Sequence, residues 1–249
     1  MRFPFMNSKT SIPRKTSGAV STLNIGAEDS IYTEQIKALR AKVEYRIDQI
    51  QAKTFAVTSA VSGEGKTTLC VKLAANLASS GRKKVLLIDT DMRKADLARG
   101  LGLPGKPGLS DFITGGAPLS DIVCNTVAPG LTVIPAGLRV SEPADLLSGN
   151  VFRDFLGSVK DGFDVVLLDT PPVLPVADTL SLRDLVDGFI FVYRAGFTPH
   201  KMFSRAAEEI GEKGILGVVI NGVEPERQRY YERYYGSYYQ RPSASDHVS

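Results

Sequence analysis

The sequence predicts an α/β fold in which a mainly parallel β-sheet carries helices on both faces. Three observations support that expectation: short runs that are continuously apolar rather than alternating, helix-forming stretches between many of them, and glycine or acidic residues where the runs end.

Residues 1–30 are rich in Ser, Thr, Lys and Arg, with Pro4 and Pro13, and read as a flexible arm. Over residues 32–51 the apolar positions Ile36, Leu39, Val43, Ile47 and Ile50 recur at spacings of three and four, which marks an amphipathic helix. The run at 54–59 is β-rich and feeds a glycine-containing turn and a helix over 66–79. Further apolar runs follow at 85–88, 133–134, 165–168, 189–192 and 216–220, with helices expected at 144–159 and 199–212. After Asn221 the composition changes abruptly. Residues 224–249 lack the apolar content to build a core, yet hold Tyr230, Tyr231, Tyr234, Tyr235, Tyr238 and Tyr239, six of the nine tyrosines. The expected organisation is an arm at 1–30, one α/β domain at 31–223 and a tyrosine-rich tail at 224–249.

Composition excludes more than it selects. A net charge of +3 is too small to argue for nucleic acid, and the acids Glu224, Glu226, Glu232 and Asp246 balance the four arginines of the tail, which disfavours an RNA-binding reading. Cys70 and Cys124 have neither disulfide-framework nor metal-ligand spacing, and read as ordinary thiols in a reducing compartment. His200 and His247 are too few for a histidine metal site. No apolar run approaches the ~18–20 residues of a membrane-spanning helix, and the start lacks the continuous apolar stretch of a signal peptide, so the chain is expected in the cytoplasm.

The strongest local signal is AVSGEGKTT at residues 60–68, between an expected strand and an expected helix. It fits the P-loop pattern except that Ala60 replaces the first glycine. Gly63 and Gly65 let backbone N–H groups turn toward an anion, and the following helix presents its positive end. Ser62, Gly63, Glu64, Gly65, Lys66, Thr67 and Thr68 are therefore candidate nucleotide contacts, with Lys66 reaching the β- and γ-phosphates and Thr67 ligating Mg²⁺. Gly100, Gly102 and Gly105 match a dinucleotide spacing, but Pro104 interrupts them and no strand precedes them, so the match is accidental. The runs VLLID and VVLLD place Asp89 and Asp91 at one strand end and Asp169 at another, and in open α/β sheets such ends converge on the ligand.

The segments AVSGEGKTT, LLIDTDMR and VVLLDTPP resemble the Walker A, Walker A′ and Walker B motifs of the bacterial tyrosine kinases (BY-kinases), and the tail resembles their tyrosine cluster. The resemblance implies a P-loop NTPase fold, ATP and Mg²⁺ as cofactors, and autophosphorylation of the tail, by a neighbouring subunit in a homo-oligomeric ring. It also implies a role in capsular or extracellular polysaccharide synthesis and export, a transmembrane activator (a polysaccharide co-polymerase) that recruits the chain to the membrane's inner face, and an opposing protein-tyrosine phosphatase. The family's ExxRxxR ring motif matches Glu34, Lys37 and Arg40, where Lys37 departs by losing the planar fork of arginine. The alternative is a nonkinase ATPase of the partitioning or septum-placing type. Those proteins carry a signature lysine where this chain has Val61. No NKxD or TKxD element reads guanine, and Asn221 is either an adenine contact or a plain turn-forming residue.

In this expectation Asp89 orients or deprotonates the acceptor phenol while Asp91 and Asp169 serve mainly the metal, though the three roles are interchangeable at the level of sequence. Each phosphotyrosine adds about −1.5 to −2 charge. Several together on a near-neutral tail would favour its release from the acids of the site.

Overall fold

The computed structural model describes residues 30–223 apart from 80, 82, 212 and 213. The expected arm up to residue 29 and the tail from 224 onward, with all six tail tyrosines, lie outside the described residues.

Among the described residues seven strands form one sheet: β1 (Thr54–Ser59), β2 (Val85–Asp89), β3 (Cys124–Asn125), β4 (Leu131–Ile134), β5 (Val165–Asp169), β6 (Gly188–Arg194) and β7 (Ile215–Asn221). Their order is β3-β4-β2-β5-β1-β6-β7, and every pairing is parallel except the two-residue β3 against β4. Strands β1, β2 and β5 are buried at every position, β2 and β5 as their continuous apolar runs require and β1 with Thr54, Thr58 and Ser59 buried beside Phe55, Ala56 and Val57.

Alternate residues of these strands feed two separate cores. On one face Phe55, Val57, Leu87, Leu167 and Val192 pack with α1 (Ser30–Ile50) and α2 (Lys66–Ser79). The other face joins Ala56, Leu86, Leu168 and Phe191 to α6 (Pro143–Ser148), α7 (Asn150–Val159) and α8 (His200–Ile210). The short helices α3 (Asp96–Gly100), α4 (Leu109–Ile113) and α5 (Leu119–Ile122) occupy the long connection from β2 to β3.

In α1 the expected period holds as far as Ile47, with Ile36, Val43 and Ile47 buried and Leu39 packed at the margin, whereas Ile50 at the helix end is exposed. Two expectations are corrected. The single helix expected over 144–159 is two helices, because Gly149 is extended at φ −70°, ψ 156° and restarts the chain at Asn150. Glycine loses more freedom in a helix than any other residue, so the break falls where continuation is least favourable. The helix expected over 199–212 ends at Ile210, where Gly211 takes a positive φ of 89°.

Residues 100–105 contain the end of α3 and a loop, with no strand before them, in keeping with an accidental glycine spacing. Cys70 is buried and Cys124 partly buried, both as free thiols. Among the described residues no helix is long and apolar enough to cross a membrane.

Candidate active site

Strand β1 lies between β5 and β6, while its own crossover through α2 leads to β2 on the far side of β5. Chain direction around the sheet reverses there, and such a switch point opens a crevice at the carboxyl ends of the strands. A cavity of about 150 Å³ occupies that crevice, lined by Ser62, Gly63, Gly65, Lys66, Thr67, Thr68, Asp91, Lys94, Asp96 and Asp169. It suits a chain of phosphates and is too small to enclose a whole nucleoside triphosphate.

The glycine turn that forms one wall has Gly63 at φ 88° and Gly65 at φ 91°, a region L-residues other than glycine rarely adopt. The turn is held from behind by five hydrogen bonds. Glu64 is fully buried, and its carboxylate accepts from the Val61 amide at 2.8 Å, the Arg194 amide at 3.1 Å and the Thr198 hydroxyl at 2.6 Å. Arg194 Nη1 donates to the Gly63 carbonyl at 2.9 Å, and Asn221 Nδ2 donates to the Glu64 carbonyl at 2.8 Å. The Glu64 side chain and the Asn221 amide thus brace the turn from the scaffold side, so Glu64 offers a ligand only its backbone.

The acidic wall follows from register. Asp89 and Asp169 are paired across β2 and β5, and the Asp169 carbonyl accepts from the Thr90 amide and hydroxyl at 2.9 and 2.7 Å. Asp91, two residues beyond β2, turns into the cavity, where its Oδ2 lies 3.6 Å from Lys66 Nζ. Asp89 does not line the cavity: it is fully buried, and its Oδ1 accepts from the Asp91 amide at 3.0 Å. Asp89 thus stands behind Asp91 rather than on the cavity wall.

Burial, the Asp169 carboxylate and the Asp91 carboxylate push the Asp89 acid well above the usual carboxylate range, against hydrogen bonds from the Asp91 and Leu97 backbone. Burial also raises Asp169 to about 7, although Lys66 and the Thr67 hydroxyl favour its charged form. Asp89 Oδ2 and Asp169 Oδ1 are buried and without a hydrogen-bond partner among the described residues. The orphaned oxygen of Asp169, which lines the phosphate-sized cavity, fits a cation or water bridging acid to ligand, with that of Asp89 buried behind it. Among the described residues no group of three His, Cys, Asp or Glu side chains would hold a metal unaided. Mg²⁺ keeps waters and phosphate oxygens as most of its ligands, and the Thr67, Asp91 and Asp169 side chains that line the cavity fit the remainder.

Lys94 and Asp96 also line the cavity and escaped the sequence reading. Lys94 Nζ reaches Ser62 Oγ at 3.3 Å. A basic pair immediately after the acidic strand end was the available signal, and only the loop's return toward Ser62 gives it meaning.

On α1, Glu34 and Lys37 pair at 2.6 Å on an exposed face. Arg40 is partly buried and spent within the subunit, with Nη1 3.4 Å from the Asn76 carbonyl and Nε 3.8 Å from Glu44.

Comparison with known proteins agrees with this geometry. A family model described as an AAA domain matches residues 52–186. The tyrosine-protein kinase CpsD of Streptococcus agalactiae is 33% identical over 208 residues, covering 82% of this chain and 89% of the relative. Tyrosine-protein kinase YwqD of Bacillus subtilis is 31% identical over 229 residues, covering 90% and 96%. Among solved structures, the kinase domain of the Escherichia coli tyrosine kinase ETK superposes with a TM-score of 0.75 at 28% identity, covering 86% of this chain and 85% of that one.

Proposed function

The chain belongs to the bacterial tyrosine-protein kinases, with a P-loop nucleotide domain of the AAA type, and from that premise we propose that it uses Mg²⁺·ATP to phosphorylate tyrosines of its own 224–249 tail. The observation that carries this reading is the convergence of Lys66, Thr67, Asp91 and Asp169 on one phosphate-sized cavity at the sheet's switch point.

In this reading the backbone of residues 62–68 cradles the phosphates and the N-terminus of α2 favours their charge. Lys66, released from Asp91 by the incoming anion, pairs with the β- and γ-phosphates. Thr67, Asp91 and Asp169 would hold the Mg²⁺, whose chemistry is to neutralise charge on the transferring group. The acceptor phenol oxygen forms a bond to the γ-phosphorus, the bond to the β,γ-bridging oxygen breaks, and its electron pair leaves on ADP. The phenol proton passes to a carboxylate of the site. Asp91, Asp96 and Asp169 are the carboxylates that line the cavity, and Asp89 acts from behind by fixing the Asp91 backbone. Asn221 positions the turn through its Nδ2, and its Oδ1 accepts from the Gly222 amide at 2.9 Å, so an adenine contact would share that oxygen.

The acceptors are Tyr230, Tyr231, Tyr234, Tyr235, Tyr238 and Tyr239, offered by a neighbouring subunit of a homo-oligomeric ring. The exposed Glu34 and Lys37 on α1 are available to that neighbour, whereas Arg40 must first leave its contacts on α2. The cellular role carried by the family resemblance is control of polysaccharide synthesis and export at the inner face of the membrane, through a transmembrane activator and an opposing phosphatase.

The test is incubation of purified protein with γ-labelled ATP, beside Lys66→Met. Alkali-stable label confined to peptides from 224–249, and absent from the variant, is the expected result. Free phosphate without label on protein would instead mark a nucleotide-switched ATPase and end this reading.

A further inference from the structure

We propose that Lys94 is a second phosphate-binding cation, one that contacts the terminal phosphoryl group and acts selectively on it. The inference deepens the kinase reading and rests on it.

Within residues 60–68 only Lys66 is basic, and Val61 and Ser62 at the opposite end of the turn carry no charge. The phosphate chain of a P-loop ligand lies with its α- and β-groups on the backbone cradle and helix N-terminus, so the γ-group extends away from Thr68 toward the loop after β2. That loop presents Lys94. Its side chain is exposed, lines the same cavity as Lys66 and rests 3.3 Å from Ser62 Oγ.

Its placement is not accidental to the chain's course. The Lys94 amide donates to Asp91 Oδ1 at 3.0 Å, and the other oxygen of the same carboxylate faces Lys66. One aspartate therefore sets both cations: it holds the side chain of the first and the backbone of the second. Lys94 makes no ion pair among the described residues, so its charge is left for a ligand. Arg93, the neighbouring cation, is taken by Asp178 and turns away from the cavity wall.

In a loose phosphoryl-transfer transition state the charge spreads over the three equatorial oxygens of the γ-group. A lysine at the Ser62 end meets those oxygens and nothing of ADP. Its contribution should therefore appear in binding of a triphosphate and in turnover, and be absent from binding of a diphosphate.

The experiment is calorimetric titration of the full chain in Mg²⁺ with ADP and with a non-hydrolysable ATP analogue, for wild type, Lys94→Gln, Lys94→Arg and Lys66→Met, together with autophosphorylation rates. Lys94→Gln should weaken the analogue by about tenfold while changing ADP by less than about twofold, slow phosphorylation by about 100-fold, and be largely rescued by arginine. An unchanged ratio of analogue to ADP affinity, or equal weakening of both, overturns the assignment, since a merely structural lysine gives one of those patterns. Loss of binding in Lys66→Met with a wild-type ratio in Lys94→Gln overturns the Lys94 role alone. Failure of wild type to take up either nucleotide overturns the kinase reading with it.

Discussion

Arg93 and Asp178 are joined by two parallel hydrogen bonds, Nε to Oδ2 at 2.7 Å and Nη2 to Oδ1 at 2.9 Å, across 85 residues of sequence. Asp178 is buried while the guanidinium keeps contact with water. The pair ties the loop after β2, which carries Asp91 and Lys94, to the loop after β5. That second loop is itself fastened to β1 by Thr170 Oγ1 donating to the Val57 carbonyl and Thr58 Oγ1 donating to the Pro171 carbonyl, each at 3.0 Å.

Removing the arginine should therefore loosen the catalytic loops as well as the fold. Arg93→Ala leaves a buried carboxylate without its partner, and with half of the pair hydrated a loss of about 1–3 kcal/mol is expected. In a domain of this size that corresponds to a melting temperature lower by roughly 3–10 °C. Arg93→Lys keeps the charge but only one of the two bonds, and should fall between. An alanine variant that melts with wild type and phosphorylates at the wild-type rate would mean that the clamp does not position the loops.

Gly65 and Asn221 give a second prediction. A Cβ at Gly65 would collide with the Asn221 amide and would hold a φ of 91°. Gly65→Ala should weaken nucleotide binding by at least about 100-fold, because steric displacement and backbone strain act together on the turn. The double variant with Asn221→Ala removes the collision and leaves the strain, so only partial recovery is expected in a titration with labelled nucleotide. Complete recovery would show that the backbone conformation of the turn is not demanding.

Strands β2 and β5 and the buried part of β6 were legible in the sequence because strands buried on both faces are apolar, β1 was legible from its β-rich run before the glycine turn, and the acids that end β2 and β5 marked the ligand side. Strand β3 was not, since two residues, Cys124 and Asn125, carry no periodicity. Glu64 shows the limit within the site. Its place in the glycine turn suggested a phosphate contact, but its side chain is claimed by Arg194 and Thr198, over 100 residues on, and nothing local specifies that direction. Lys94 and the Arg93–Asp178 pair were hidden for the same reason: their partners are set by tertiary return of the chain, while the motifs are set by neighbours in sequence.

Asp169 carries the last prediction. Its folded-state affinity for a proton, raised by burial to about 7, exceeds that of an unfolded aspartate near ~4, so between those values the native state binds a proton that the unfolded chain has released. Stability contributed by this group is fully present below about pH 4 and is lost as pH rises through about 7. Asp169→Asn removes that dependence. Without ligand the variant should melt close to wild type near pH 4.5 and higher by about 5 °C at pH 8, with the gap opening between those limits. Its phosphorylation rate should nonetheless fall by more than about 100-fold, while the wild-type rate climbs as pH rises through about 7 and the carboxylate becomes available. A variant that melts below wild type at pH 8 would show that the ionised carboxylate is already satisfied within the fold, and would remove the case for a cation or water at its orphaned oxygen.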